Sequence, residues 1–86
     1  MAVAASGSSA DEALPGTAGN QCRVYNGSAA MAFVRFGVGA QTAVLTDSFV
    51  APGNTEVFSI PPTVDTVAAI LSTGTGNVYF QRGMGL

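Results

Sequence analysis

Hydrophobic and polar residues alternate along short stretches of the chain after residue 20, with the period of two that is typical of β-strands. In the segment QCRVY, for example, Cys22 and Val24 fall on one face of a strand. Pro61 and Pro62 end another stretch, because proline cannot donate a hydrogen bond to a strand ladder. Strands are therefore predicted at residues 21–25, 30–37, 42–45, 55–60, 66–72 and 78–82. A short continuation through Phe49 could extend the strand at residues 42–45.

Three segments rich in turn-forming residues separate these strands. NGS at residues 26–28 contains the Asn-Gly pair of tight hairpin turns, in which glycine tolerates a positive φ. PGN at residues 52–54 combines a proline that presets φ with a glycine that accepts a left-handed conformation. TGTGN at residues 73–77 is the third such segment. The spacing of strands and turns is that of an all-β sandwich.

The segment AMAFVRFG, residues 30–37, is apolar on both faces of its predicted strand. Val34 and Phe36 are expected to pack against a second sheet. Met31, Phe33 and Arg35 fall on the other face, which an 86-residue chain can hardly cover from its own residues. We therefore expect this second face to contact another chain. The aromatic and aliphatic candidates for the core or an interface are Phe33, Phe36, Phe58, Val78 and Phe80.

The segment DTVAAILS, residues 65–72, contains good helix formers and could also be read as a helix. Only about eight residues separate Pro62 from the glycines at positions 74 and 76, and an isolated helix of that length is marginal. A central β-strand is the favoured interpretation, because the segment is an almost unbroken apolar run.

Residues 1–19 differ from the rest of the chain, being rich in Ala, Ser and Gly without a sustained period of 2 or 3.6. A disordered leader and an extended arm lying along a partner chain are both open, and the arm is favoured. The fold prediction is thus all-β: a small antiparallel, jelly-roll-like β-sandwich of six to eight short strands at residues 20–86, with an extended N-terminal arm.

Hydrophobic residues make up 48% of the chain and charged residues only 9%, with a formal net charge of −2. The surface of an independent small domain usually carries roughly 25–35% charged residues. Part of the apolar surface is therefore expected to be covered by other chains, which indicates an assembly component.

The chain lacks the residues that several kinds of catalytic and binding site require. The chain has no histidine and a single cysteine, Cys22, so catalytic pairs that depend on histidine and zinc sites are not expected. The carboxylates are few and widely spaced, which argues against a small hydrolase. The three arginines are scattered and there is no lysine, whereas nucleic-acid binding needs a clustered basic surface. We predict no enzymatic activity, no cofactor, no metal and no direct contact with nucleic acid.

Targeting signals also shape the expectation. The N-terminal segment lacks the positive and continuous apolar regions of a secretory signal, and no apolar run is long enough to cross a bilayer. A protein made in the cytoplasm, without a membrane partner, is expected. The single thiol of Cys22 is interpreted as a buried, inert group.

A family resemblance builds on these strand and turn patterns. The runs CRVYNGSAAMAFVRFGVGAQTAV and FVAPGNTEVFSIPPTVDTVAAILSTGTGNVYFQRGMG resemble small virion structural proteins of tailed bacteriophages, of the capsid decoration or cement type. The resemblance covers roughly residues 22–85 and brings no catalytic residue. It implies a β-sandwich that forms a homo-oligomer on the capsid exterior, contacts the major capsid protein and stabilises the shell.

Interface residues follow from combining the resemblance with the strand pattern. Arginine is enriched at interfaces and bonds carboxylates in a bidentate way, and either Glu56 or Asp47 could pair with an arginine across a subunit boundary. The expected interface residues are Met31, Phe33, Arg35, Arg82, Tyr79 and Glu56. The alternative is a minor neck, tail or spike component that binds carbohydrate or a receptor, for which Tyr25 and Tyr79 are the candidate residues.

Overall fold

Alternation of apolar and polar residues builds eight β-strands in the computed structural model, which describes residues 1–14 and 19–83. None of these described residues lies in a helix, and the segment DTVAAILS forms a strand as predicted. The strands are β1 (Ala2–Ser6), β2 (Ala10–Ala13), β3 (Gln21–Asn26), β4 (Ala32–Gly37), β5 (Ser48–Val50), β6 (Thr55–Ser59), β7 (Thr66–Leu71) and β8 (Thr75–Gly83).

Two four-stranded antiparallel sheets face each other. Sheet I has the strand order β1-β8-β3-β6, and sheet II has the order β2-β7-β4-β5. The first strand pairs with the last, the second with the seventh, the third with the sixth and the fourth with the fifth. Such nested pairs, wrapped into two sheets, make an eight-stranded jelly roll. The predicted all-β, jelly-roll-like sandwich is confirmed.

Most connections carry the chain from one sheet to the other, which changes the interpretation of the NGS segment. It joins β3 of sheet I to β4 of sheet II, so the predicted tight hairpin is wrong. Gly27 is also absent from the glycines with positive φ. The PGN and TGTGN segments do turn at left-handed glycines, with φ of 73° at Gly53 and 72° at Gly74.

The strand predicted at residues 42–45 is wrong. Residues 38–47 form a long connection between β4 and β5, and the paired strand lies at Ser48–Val50, within the continuation considered through Phe49. The sequence QTAV has the alternation of a strand, but the backbone N–H groups of Gln41 and Ala43 bond side-chain oxygens instead of another strand.

The N-terminal segment is extended, and its described residues form two strands of the chain's own sandwich. β1 pairs with β8 in sheet I, and β2 pairs with β7 in sheet II. The physical reason is burial, because Val3, Ala5 and Leu14 belong to the hydrophobic core. Residues 15–18, at the end of the predicted arm, lie outside the described residues.

The core lies between the two sheets. Val34 is buried, and Phe36 packs against Phe58 and Phe80 from the facing sheet, with ring centroids 5.5 and 6.1 Å apart. The prediction that Val34 and Phe36 pack on the second sheet is therefore confirmed. Of the five core or interface candidates, Val78 and Phe80 are buried, Phe36 and Phe58 are partly buried against the core, and Phe33 faces outward.

Candidate functional site

An apolar row crosses the outer face of sheet II on three neighbouring strands. Phe33 of β4 is the direct register partner of Ile70 on one side and of Phe49 on the other. The rings of Phe33 and Phe49 meet edge to face, with centroids 6.4 Å apart. Phe49, on the short edge strand β5, is 61% exposed, so the row ends in an aromatic ring open to solvent.

A loop at residues 38–47 covers the neighbouring part of the same face. Ala68 lies in register with Arg35, on the outer side of sheet II, and yet it is fully buried. Ala43 of the loop is buried as well. Three backbone N–H groups of the loop donate to side chains on or just before β2 and β7: Gly39 to Oδ1 of Asp65 (3.0 Å), Gln41 to Oδ2 of Asp11 (3.0 Å) and Ala43 to Oγ of Ser9 (2.8 Å).

The return of this loop to β5 is held by Arg35. Its Nη2 donates to Oδ1 of Asp47 over 3.0 Å, and Oδ2 of Asp47 accepts the backbone N–H of Val44 over 2.8 Å. The Arg35 side chain is 42% exposed and that of Asp47 16%. Pairing of Asp47 with an arginine across a subunit boundary was one expectation, and the structure pairs it within the chain instead.

The loop itself also carries exposed apolar side chains. Val44 and Leu45 are 40% and 56% exposed, beside the ion pair that fixes the loop. Together with Phe49 they place three large exposed apolar side chains on residues 44–49. We call the apolar row (Ile70, Phe33 and Phe49) with Val44 and Leu45 the sheet II patch. It is a hydrophobic surface built on a fixed backbone.

The expected interface residues do not form one surface. Met31, just before β4, and Phe33 are partly buried, and with Arg35 they lie along the sheet II side. Tyr79 lies on the opposite side, on sheet I. Arg82 lies near the end of β8 and is partly buried. The structure therefore brings Met31, Phe33 and Arg35 together and separates Tyr79 and Arg82 from them.

Glu56 lies on β6, the strand at one edge of sheet I. Its register partner, Val24, is buried in the core, so Glu56 has the inward-facing parity of its strand while remaining exposed. An inward-pointing charge at a sheet edge disfavours pairing with a further strand. Glu56 is therefore placed where its charge disfavours the pairing of a further strand with β6.

The outer face of sheet I carries two aromatic residues. Tyr25 of β3 and Tyr79 of β8 are direct register partners, with ring centroids 5.9 Å apart and planes inclined by 31°. Both are exposed, at 42% and 43%. These are the two residues that the carbohydrate-binding alternative singled out, and the structure places them side by side.

The titratable groups with shifted pKa values have structural explanations. Burial raises the pKa of the Cys22 thiol, which lies within the core. The Thr66 hydroxyl and the Gly39 N–H both donate to the Asp65 carboxylate and lower its pKa. Within residues 1–14 and 19–83, no group of three or more acidic, histidine or cysteine side chains is placed to hold a metal ion. The same residues include no helix that is long and apolar enough to cross a membrane.

Phe49 and Ile70 were missed as candidate interface residues. Ile70 lies in an apolar run whose two faces the sequence does not distinguish. The alternation in SFV, at residues 48–50, does place Phe49 opposite the buried Val50, and this signal could have identified Phe49 as outward facing.

No protein-family model matches the chain, and neither a curated protein sequence nor a solved structure is significantly similar to it.

Proposed function

We propose that this chain is a non-enzymatic structural protein of a tailed-phage particle. It decorates the capsid exterior and stabilises the shell by clamping adjacent subunits of the major capsid protein. The observation that carries the proposal is the sheet II patch, whose outermost ring, Phe49, is 61% exposed. The choice of a phage particle rests on the resemblance of residues 22–85 to phage decoration proteins.

The chemistry of the patch supports docking on protein. Aromatic side chains are enriched at the centres of protein interfaces, where water is excluded. Full burial of a phenylalanine or leucine side chain contributes about 1.5–3 kcal/mol. A few such side chains per copy give modest affinity, and oligomerisation multiplies it because linked copies bind the shell together.

The rigidity of the patch supports the same proposal. The apolar row lies on three hydrogen-bonded strands, and the adjoining loop is held by Asp65, Asp11, Ser9 and the Arg35–Asp47 ion pair. A surface that is already ordered loses little conformational entropy on binding. Docking on a repetitive shell needs this property, because each copy contributes only a small contact.

A minor component of the neck, tail or spike would use the same apolar contacts at fewer positions. Copy number separates these two locations on the particle. Particles from cells that produce this protein are purified, and its molar ratio to the major capsid protein is measured by mass spectrometry with isotope-labelled peptides. We expect a ratio near one per capsid subunit. A dozen or fewer copies per particle would move the protein to the neck or tail, and its absence from particles would overturn the proposal.

A further inference from the structure

We propose that the outer face of sheet I carries a second binding site, which takes the sugar rings of an acidic polysaccharide. The site is a hollow of about 290 Å³ lined by Tyr25, Tyr79, Arg23, Gln81, Met1 and Phe80. It lies on the opposite side of the sandwich from the sheet II patch. A protein docked on a particle through sheet II therefore presents this hollow to the solvent.

The tyrosine pair supplies the apolar part of the site. The two rings lie 5.9 Å apart with planes inclined by 31°, and each ring is more than two-fifths exposed. A tyrosine presents a flat apolar ring and a polar hydroxyl at its tip. Sugar rings match this combination, because their C–H faces pack on aromatic rings and their hydroxyl groups need hydrogen-bond partners. Two adjacent rings fit neighbouring sugars of one chain.

Gly27 leaves room for both rings. A Cβ atom at this residue would lie 2.9 Å from Cε2 of Tyr79 and 3.4 Å from Cε2 of Tyr25. The Gly27 N–H also donates to the carbonyl of Asn77 over 3.0 Å, which holds the backbone under the rings. The φ of Gly27 is not positive, so glycine suits this position because a Cβ atom would crowd the two aromatic rings. This accounts for the glycine of the NGS segment, which makes no hairpin.

Arg23 selects for an acidic sugar. It is exposed on the outer face, in register with Gln81 of β8, and no carboxylate of the described residues forms an ion pair with it. A guanidinium group binds a carboxylate through two parallel hydrogen bonds. A uronic acid carries such a carboxylate on its ring, next to hydroxyl groups that the side-chain amide of Gln81 can bond. The hollow therefore offers the guanidinium group of Arg23, the amide of Gln81 and two aromatic rings.

The test titrates the ¹⁵N-labelled protein with oligogalacturonate, as the acidic probe, and with maltooligosaccharide of equal length, as the neutral one. We expect oligogalacturonate to shift the amide signals of β3 and β8 and to bind at least about tenfold more tightly than the neutral probe. Tyr79→Ala and Arg23→Gln should each weaken its binding at least about tenfold. Tyr79→Phe, which keeps the ring, should weaken binding less than Tyr79→Ala.

Phe49→Ala is the matched control, because it removes an exposed aromatic ring from the other sheet and should leave binding unchanged. The amide spectrum of each variant shows whether the sandwich is folded. If Tyr79→Ala does not fold, Tyr79→Phe and Tyr25→Phe take its place. Absence of binding to oligogalacturonate would overturn the proposal. So would equal binding of both probes, or binding that neither Arg23→Gln nor the tyrosine variants weaken.

Discussion

Nη2 of Arg35 lies 3.0 Å from Oδ1 of Asp47, which is twelve residues further along the chain. Arg35 belongs to β4 and Asp47 to the end of the loop that crosses the outer face of sheet II. The arginine in the otherwise apolar segment AMAFVRFG thus has a partner within its own chain. It holds the loop that carries Val44 and Leu45 of the sheet II patch, so we expect Arg35 to influence binding through the position of this loop.

Replacing Arg35 and replacing Asp47 should lower the free energy of unfolding by different amounts. Arg35→Ala removes only a partly exposed ion pair, and should lower the free energy of unfolding by about 0.5–1 kcal/mol. Asp47→Ala also leaves the Val44 N–H without its acceptor, and should cost about 1–2 kcal/mol. Urea unfolding of both single variants and the double variant measures the coupling. Strictly additive effects would show that the ion pair contributes nothing.

Asn26 is the only buried polar or charged residue of the described chain, and its side chain bonds four groups. Nδ2 donates to the carbonyls of Ala30 and Val50, both over 2.8 Å, and Oδ1 accepts from the N–H and hydroxyl of Ser28. Asn26→Ala should lower the free energy of unfolding by about 2–4 kcal/mol, because buried groups lose their partners.

Asn54→Ala provides the comparison for Asn26, since Asn54 is exposed in the turn between β5 and β6. It should change the free energy of unfolding by less than about 0.5 kcal/mol. Chemical denaturation of both variants measures the difference. Equal small effects would mean that the Asn26 bonds do not stabilise the crossing between the two sheets.

The strand pattern predicted the sheets better than it predicted the connections. QCRVY and VYFQR became strands because their apolar residues alternate and can line a core. NGS has the composition of a hairpin turn, but its asparagine is buried and bonds Val50 of the other sheet, a contact between distant parts of the chain. Local sequence does not encode such a contact. β1 and β2 were missed for a similar reason, because short alanine-rich stretches become strands only through pairing with β8 and β7.

Burial of Cys22 should protect its thiol and make the free energy of unfolding fall at alkaline pH. The pKa of the thiol is raised by burial, so the folded chain holds the proton at pH values where the unfolded chain releases it. The stability present below the thiol's ordinary pKa is then lost as pH rises, and the free energy of unfolding should fall above roughly pH 8.5. Denaturation at stepwise pH measures this slope, and Cys22→Ala should flatten it. A slope that Cys22→Ala leaves unchanged would contradict the assignment.

The candidate site was only partly predictable. The strand predicted at residues 30–37 is apolar on both faces and identified Phe33, because so small a chain can hardly bury an outward-facing aromatic residue by itself. The sequence could not show that Arg35 would be taken by Asp47, since the loop folds back over ten residues to meet it. It also could not show that Tyr25 and Tyr79 would be direct partners, which depends on the register between β3 and β8.

The binding of two matched variants to particles tests the proposed docking surface most directly. Phe49 and Val57 are both exposed apolar residues on edge strands, at 61% and 49%, but they lie on different sheets. Phe49→Asp and Val57→Asp are purified, checked for folding, and mixed with particles that lack the protein, and the bound fraction is measured by co-sedimentation. We expect Phe49→Asp to bind at least about tenfold more weakly than the unmodified protein and Val57→Asp to bind normally. Normal binding of Phe49→Asp would contradict docking through sheet II.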